Sequence, residues 1–383
     1  MSRTVLFLPQ NDSHAETAAL LAPELARRGL KSVALDMDGL FHQGTARYLA
    51  GMEILRSELT SHRPFYRMTA IRQMKIVAAA QPRVKSWLAD VDAVVAFNDG
   101  ALQRLILTSA RRRGIPTDLV LDGMITRLDE PRSPRYLARQ ALRMTGRWLD
   151  RTPAGAFFPS EVGLAAVDRT HVAGEHSVEV LRARGSRARS LLTSGLPRWP
   201  DAESSSSAQV KTVLYLTGAF RWHNDHGTAR AQERDVAELA AVCGRLGLSL
   251  LVRVHPRDDA DCYAGIKATI VDPRAESITA TIRRSDLVMS IISTGLVEAV
   301  ILGRQSRVLA IHPDWRRYRR SFVSDPAFGL IQDTGQLEAV LVASATHIDR
   351  AALDRQRSGL SPYVAATGHE ATMRIARTVG ERE

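Results

Sequence analysis

The chain has 383 residues, of which 45% are hydrophobic and 24% are charged, so it is longer than one typical hydrophobic core organises. We therefore expect a globular protein of two domains. The formal charge of +11 favours a partner that carries phosphate or carboxylate, because guanidinium groups pair bidentately with these anions. Only five of the 52 basic residues are lysine, so an arginine-rich coding bias is an alternative source of this charge, and no nucleic-acid partner is expected.

The same counts exclude several other classes of protein. The most apolar stretch, 285–303, is broken by four polar residues well short of a membrane span of about 20 residues. The opening "MSRTVLFLPQND" has no small-residue cleavage site, so a secretory signal is not expected. Two cysteines, Cys243 and Cys262, provide neither a disulfide framework nor a zinc ligand set. These features predict a cytoplasmic protein.

The first half of the chain alternates apolar, strand-like runs with segments of helical spacing. Strands are predicted over 4–10, 31–36, 92–100 and 118–123, and helices over 15–29 and 101–114. An irregular stretch that we expect to be mostly helical separates the second and third strands. Such alternation is typical of a doubly wound parallel sheet with helices on both faces.

The second half repeats this order of elements. Strands are predicted over 211–218, 248–256, 268–272, 286–292 and 306–311, and helices over 229–246, 276–285 and 294–303. Between the halves, "GLPRWPDAESSSSAQ" has the Pro, Ser and Asp content of a linker.

This organisation predicts an α/β protein of two doubly wound, Rossmann-like domains that face each other across a cleft. The predicted domains are 1–200 and 201–365, followed by a C-terminal helix over 366–383 that packs back on the first domain.

Polar groups follow the strand in "LLVRVHPRDD" (250–259), where open parallel sheets place their ligands. His255 can stabilise negative charge there, either as a cation or as a hydrogen-bond donor, and Pro256 fixes the local backbone. Of the flanking arginines we rank Arg257 above Arg253 as a ligand-binding group. The alternative is a histidine that hydrogen-bonds only to loop backbone.

A second strand end lies in "SIISTGLVEAVILG" (290–303). Ser293 and Thr294 stand where a helix begins, and Gly295 allows close backbone approach. Free amides, hydroxyl groups and the positive end of a helix dipole predict a phosphate site at this point. The alternative is that Ser293 only caps the helix and that Glu298, one turn later, is a solvated side chain.

The ordered motifs resemble those of GT-B glycosyltransferases, in particular bacterial capsule and surface-polysaccharide transferases with a His-Pro motif and, more distantly, bacterial sialyltransferases. They are "FNDG" (97–100), "GIPTDLVLDG" (114–123), "VRVHP" (252–256) and "SDLVMSIISTGLVEAVILG" (285–303). "LLTSGLPRWPD" (191–201) also resembles the segment that connects the two domains in this family. The resemblance implies a nucleotide-sugar donor of CMP or UDP type, no obligatory metal or other cofactor, and contact of Glu298 with the ribose.

The acceptor is expected on the first domain, where a base must take the proton of its hydroxyl group. Asp99 in "FNDG" is the first choice, because it ends a strand that faces the cleft, although Asn98 replaces the first acid of the sialyltransferase-like pattern. Asp122 is the reserve candidate, and His14 is a further acceptor-side group. Either aspartate is alternatively a turn residue before glycine.

The loop in "LTGAFRWHNDHG" (216–227) supplies further candidates. Gly218 can bring backbone close to the donor, and Arg221 and His223 are expected on the acceptor side. His223 and His226 resemble half of a metal site, but without carboxylate or cysteine partners they do not predict one.

Arginine recurs every four residues from Arg135 to Arg151 beside apolar positions of a predicted helix. This stripe can contact anionic lipid at the inner face of the cell membrane or bind a lipid-linked acceptor. The alternative is that it is an ordinary solvated face of the helix.

The predicted function is transfer of a sugar from a nucleotide sugar to a surface-polysaccharide or glycolipid acceptor. A polyol-phosphate transferase of the CDP-glycerol type and a sugar-nucleotide epimerase share the architecture. A less favoured alternative is a phosphatase of the haloacid-dehalogenase type, with Asp36 as nucleophile and Asp38 as acid and base in "SVALDMDGLF".

Overall fold

The computed structural model describes residues 3–125, 134–149, 152–158, 160–203, 208–312, 318 and 321–381. It forms two compact units, whose boundaries fall between Trp199 and Pro200 and between Pro362 and Tyr363. The first unit contains both termini of the chain, and the second lies between these boundaries. From the sequence, the two domain boundaries were predicted between residues 200 and 201 and between residues 365 and 366.

The first unit is built on a seven-stranded parallel sheet of order β3-β2-β1-β4-β5-β6-β7. The strands are β1 (Arg3–Leu8), β2 (Leu30–Asp36), β3 (Glu53–Arg56), β4 (Ala93–Ala96), β5 (Thr117–Val120), β6 (Arg169–Val172) and β7 (Ser190–Thr193). The helices are α1 (Asp12–Arg27), α2 (Asp38–Phe41), α3 (Ala70–Trp87), α4 (Ala101–Arg112), α5 (Pro134–Leu149) and α6 (Glu175–Ala183). Short 3-10 helices cover Thr45–Tyr48, Phe65–Arg67 and Pro153–Phe157.

The second unit has a six-stranded parallel sheet of order β10-β9-β8-β11-β12-β13. The strands are β8 (Thr212–Leu216), β9 (Ser249–Arg253), β10 (Thr269–Val271), β11 (Leu287–Ser290), β12 (Gln305–Leu309) and β13 (Leu330–Ile331). The helices are α7 (His226–Leu246), α8 (Ile278–Arg283), α9 (Gly295–Ile301), α10 (Thr334–Thr346) and α11 (Arg350–Leu360), with 3-10 turns at Ala260–Tyr263, Phe322–Ser324 and Pro326–Phe328.

The chain then returns to the first unit as α12 (Gly368–Thr378), which packs against α1. The alternation of side chains along β1 explains why both faces of the sheet need such helices. Leu6 and Leu8 are buried on the face that α3 and α4 cover. Val5 and Phe7 are buried on the opposite face, with side chains of α1 and α12.

Each sheet has a point at which its strand order reverses direction. In the first unit β1 pairs with both β2 and β4, and in the second β8 pairs with both β9 and β11. Such switch points leave a crevice at the carboxyl ends of the strands, where ligands bind in open α/β sheets.

Four strands lie where no strand was predicted: β3, β6, β7 and the two-residue β13. β3 is an exposed edge strand without an apolar alternation, and β6 and β7 contain polar residues. β4 and β5 also end earlier than predicted, at Ala96 and Val120, so that the polar groups after them belong to loops. Within the described residues, no helix has both the length and the apolar character needed to span a membrane.

Candidate active site

His14 lies at the carboxyl edge of the first sheet, in the first turn of α1. The side chain of Asn11 caps this helix by accepting the His14 backbone N–H at 2.9 Å. The buried imidazole stacks on Phe97, with ring centroids 5.6 Å apart, and its Nδ1 accepts the backbone N–H of Gln10 at 3.2 Å. Because Nδ1 acts as acceptor, the ring proton of neutral His14 belongs on Nε2.

This Nε2 atom faces Asp122, which follows β5. The distance from Nε2 to Asp122 Oδ2 is 3.7 Å, and 31% of the Asp122 side chain is exposed. Burial lowers the pKa of His14 to about 4, although the charge of Asp122 acts in the opposite direction. At neutral pH the pair is therefore an uncharged imidazole behind an accessible carboxylate.

Two further charged groups complete this cluster. The guanidinium of Arg198 lies 3.9 Å from Asp122 Oδ2 and 3.6 Å from Glu16 Oε2. Neither residue was predicted to have a role, since Arg198 falls in the predicted linker and Glu16 in an ordinary helical pattern. The motif "LPRWPD" was the only signal for Arg198.

Asp99, the first choice as base, has a different environment. It is 3% exposed, and its carboxylate accepts the backbone N–H groups of Gly163, Leu164 and Ala165 at 3.1, 3.0 and 2.9 Å. Burial raises its pKa, while these hydrogen bonds oppose the shift. A carboxylate held in this way anchors the loop before β6 and has no surface for an acceptor, so the geometry favours a structural role for Asp99.

In the second unit, His255 lies just beyond β9, next to the switch point. Its backbone N–H donates to Thr217 Oγ1 at 2.8 Å, and its Nδ1 accepts the backbone N–H of Arg257 at 3.1 Å. Burial, and then the positive charge of Arg257, lowers the pKa of His255. The neutral ring therefore carries its proton on Nε2 and offers an uncharged hydrogen-bond donor.

The start of α9 differs from the predicted phosphate site in one respect. The amide of Gly295 donates to Ser293 Oγ, that of Leu296 to the Ser293 carbonyl, and that of Val297 to the Thr294 carbonyl. The expected free amides are thus already engaged, because the chain turns tightly before this short helix. The groups offered to a ligand are the hydroxyls of Ser293 and of the exposed Thr294.

Glycine at position 295 lets the start of α9 pack closely against two apolar side chains, which would have to shift for any larger residue. An added Cβ would lie 2.4 Å from Leu216 Cδ1 and 3.1 Å from Ile278 Cδ1. Glu298, one turn later, is only 5% exposed and accepts a hydrogen bond from Thr279 Oγ1. Its predicted contact with a ribose therefore competes with an existing partner.

Gly218 follows β8, and the structure ties its backbone to α7. Its N–H donates to Gln232 Oε1 at 2.6 Å, and a Cβ at this position would meet the ring of Phe220 at 2.7 Å. Gln232 was not predicted to have a role, since a glutamine within a helical pattern carries no distinctive signal.

The remaining candidates of the second unit lie in the loops after β8 and β9. Arg221 pairs with Glu233, and His223 is exposed. The guanidinium of Arg257 lies over the ring of Trp222, 5.5 Å from its centroid. Arg253 is buried and donates to Thr281 Oγ1 at 2.9 Å, in keeping with its lower rank.

Neither unit shows a metal centre in its described residues: no three His, Cys, Asp or Glu side chains are grouped so that they could hold an ion. His223 and His226, the two histidines considered for such a site, are both exposed.

No protein-family model matches the sequence, and no curated protein matches it. Solved structures match over nearly the whole chain. The glycotransferase of kitacinnamycin superposes with a TM-score of 0.60 at 17% identity and covers 98% of both chains. Arabidopsis thaliana UGT89C1 complexed with UDP gives 0.57 at 13% identity over 98% of each chain.

A putative UDP-N-acetylglucosamine 2-epimerase from Listeria monocytogenes gives 0.56 at 12% identity, over 97% of this chain and 94% of its own. The fold is of the GT-B class. This confirms the predicted fold of two Rossmann-like units, whereas the capsule-type and sialyltransferase-like resemblance stays a prediction, since likeness at such identities shows the fold alone.

Proposed function

We propose that this protein is a glycosyltransferase that moves a sugar from a nucleotide sugar to the hydroxyl group of an acceptor. The observation that carries the proposal is the pairing of His14 with Asp122 at the carboxyl edge of the first sheet. Fold alone cannot assign the reaction, because transferases and an epimerase share it. An accessible carboxylate can take a proton from a hydroxyl group within hydrogen-bond reach, and the imidazole behind it supplies a group that can orient it.

The proton of the acceptor hydroxyl passes to this pair. Asp122 is its exposed member and receives the proton, while the Nε2–H of His14 supports the carboxylate from behind. Their separation of 3.7 Å is longer than a hydrogen bond, and catalytic contacts of this kind commonly shorten when substrate binds. This assignment replaces Asp99 as base.

The donor phosphates are held by the second unit. The Nε2–H of His255 and the hydroxyls of Ser293 and Thr294 are uncharged donors at the ends of β9 and β11, on either side of β8. Fixed donors of this kind stabilise the charge that develops on the leaving phosphate. UGT89C1 has been solved with UDP, which favours a uridine over a cytidine nucleotide.

The acceptor is proposed from sequence resemblance to be a surface polysaccharide or a glycolipid. Two alternatives of the same fold stand beside this proposal. The likeness to the Listeria epimerase supports a sugar-nucleotide epimerase, and a polyol-phosphate transferase would use the same donor groups. The phosphatase alternative is disfavoured, since Asp38 Oδ1 closes a turn by accepting the backbone N–H groups of Gln43 and Gly44.

Calorimetry tests the donor site. We expect UDP to bind the wild-type protein in preference to CMP, CDP, GDP and ADP, with or without Mg²⁺. His255→Ala should weaken UDP binding by about 10-fold or more, because a hydrogen bond to a charged group contributes roughly 1.5–3 kcal/mol. The exposed His347 of the same unit provides the control variant His347→Ala, which should bind as the wild type does.

Product analysis then distinguishes the reactions. Release of UDP with glycosylation of an added acceptor supports the transferase. Conversion of the sugar nucleotide to its 2-epimer without UDP release would instead establish the epimerase. If none of the five nucleotides binds the protein, the proposed function is refuted.

A further inference from the structure

One side of the first unit combines exposed apolar side chains with a high density of positive charge. It consists of 61–87, which includes α3, and of α5. Both helices pack against the 3-10 helix Pro153–Phe157, so they flank the same part of the unit. We call this surface the α3–α5 face.

Large apolar side chains are concentrated on this face. Eleven large apolar side chains are exposed among the described residues, and six of them lie here. They are Tyr66, Ile71, Met74, Leu142, Met144 and Trp148. Trp148 is 85% exposed and Ile71 64%, so neither packs on the core of the unit. Monomeric proteins seldom group apolar side chains in this way unless the surface meets another apolar phase.

The charge of the face has a single sign. Residues 61–87 and 134–149 contain ten Lys and Arg and no Asp or Glu, although the whole chain has 41 acidic residues. One of the ten, Arg143, is paired with Glu161 from outside these segments. In sequence, these two segments therefore carry an excess of positive charge that a random distribution of the acidic residues would have cancelled.

A cavity of about 330 Å³ lies within this face. Its walls include the apolar side chains of Met68 and Ile76 and the cationic side chains of Arg63, Arg72 and Lys75. An apolar wall beside cationic groups suits a molecule with an anionic head and an apolar body.

We propose that the α3–α5 face docks on the surface of an anionic lipid bilayer. The apolar side chains enter the interfacial region, where tryptophan is favoured, and the arginines and lysines pair with headgroup phosphates. Nucleic acid is the less suitable polyanion, because it would leave Ile71, Leu142 and Trp148 against a polar surface. Docking requires no nucleotide, so it holds or fails independently of the proposed transferase reaction.

Co-sedimentation with vesicles tests the proposal. The full-length protein should bind vesicles that mix phosphatidylcholine with phosphatidylglycerol and should not bind pure phosphatidylcholine. Binding should weaken strongly between about 0.1 M and 1 M salt, as the Debye length falls from about 10 Å to about 3 Å. Equal binding to both kinds of vesicle, or none at low salt, would overturn the proposal.

Matched charge reversals locate the surface. Arg72→Glu with Lys75→Glu should lower the partition coefficient by at least about 25-fold, since each of the two lost cations contributes a factor of roughly five at an anionic membrane and each new carboxylate is repelled. Lys267→Glu with Arg274→Glu makes the same change of net charge at exposed positions of the second unit and should have a much smaller effect. Equal losses in the two double variants would show that only net charge matters and would refute the docking face.

A tryptophan pair separates insertion from simple charge attraction. Trp148→Ala should reduce vesicle binding severalfold, whereas Trp222→Ala, at the 40% exposed tryptophan of the second unit, should not. Circular dichroism of each variant verifies folding. If the protein binds an oligonucleotide at equal phosphate concentration but does not bind the anionic vesicles, the face is a nucleic-acid site and the lipid proposal is wrong.

Discussion

Two aspartates of the first unit show how environment divides one residue type into two roles. Asp99 and Asp122 each precede a glycine just after a strand of the same sheet. Asp99 is enclosed and bound to three backbone amides, whereas Asp122 is partly exposed and faces an imidazole and a guanidinium. Their sequence contexts are nearly the same, and only their partners differ.

We therefore predict opposite effects of the same substitution at these two positions. Asp122→Asn should fold normally and lose about 10²–10⁴-fold in kcat/KM, the usual contribution of a general base. Asp99→Asn should instead lower the free energy of unfolding by about 1–3 kcal/mol, because it replaces an acceptor of three N–H groups by one that also carries N–H donors. Denaturant unfolding and steady-state kinetics measure both effects.

The exposed Asp90 provides the control, and Asp90→Asn should change neither quantity. A stable Asp99→Asn protein without activity would return the role of base to Asp99. His14→Gln should resemble Asp122→Asn in kinetics, and the double variant should lose little more, since the two groups act as a unit.

Asp235 on α7 makes the stability of the second unit depend on pH. It is fully buried beside His312, with Oδ1 3.6 Å from His312 Nε2, and burial raises its pKa from 3.8 to about 8. The folded protein therefore retains a proton that the unfolded chain releases above pH 4. Because the unfolded state binds fewer protons in this range, the contribution of Asp235 to stability falls as pH rises from about 4 to about 8.

Asp235→Asn removes this titration. As the pH rises through this window, the free energy of unfolding of the variant should increase relative to that of the wild type by about 1.4 kcal/mol for each pH unit. Urea unfolding at a series of pH values measures the difference. Asp354→Asn, at an exposed position of the same unit, should run parallel to the wild type. A constant difference between Asp235→Asn and the wild type would show that Asp235 is ionised in the folded protein.

At the scale of elements, α12 is the clearest case of a segment whose role depends on distant sequence. Ile375, Ala376 and Val379 join the core formed by α1 and by one face of the first sheet. Where the chain returns, a Cβ on Gly195 would lie 2.1 Å from the Ala366 carbonyl oxygen, so this crossing requires glycine.

Ile375→Ala should therefore destabilise the first unit by about 2–5 kcal/mol, the usual loss for a buried isoleucine. Arg377→Ala, at an exposed position on the same helix, should have little effect. Thermal unfolding followed by circular dichroism compares the two variants. Equal stability of the two would show that α12 contributes little to the core.

The failure to predict β6 from the sequence has an equally definite cause. β6 contains the buried Arg169 and His171, which the periodicity of apolar residues does not identify as a strand. Asp118 on β5 accepts from Arg169 Nε at 2.8 Å and lies 3.0 Å from His171 Nε2, and Ser194, just after β7, contacts the other ring nitrogen at 2.8 Å. Asp118 and Arg169 are 51 residues apart in sequence. The local sequence around Arg169 therefore cannot show that its buried charge has a partner.

At the scale of the whole molecule, the fold and the distribution of charge carry different information. The GT-B fold is shared with a glycotransferase and with a putative epimerase, so the fold does not by itself assign the reaction. The net charge of +11 is equally unspecific. Its segregation into segments without acidic residues is what points to an anionic surface.

The two-part α/β organisation could be predicted from the sequence, since alternating apolar runs and helical periods are local properties and recur in both halves. The polar groups that follow the strands are also visible in the sequence, and they located His255, Ser293, His14 and Asp122 at the carboxyl edges of the two sheets. Which of these groups are accessible depends on tertiary contacts. Contacts between residues distant in sequence bury Asp99 under the loop before β6 and bring Arg198 close to Asp122. The α9 amides are engaged because the chain turns tightly before this helix.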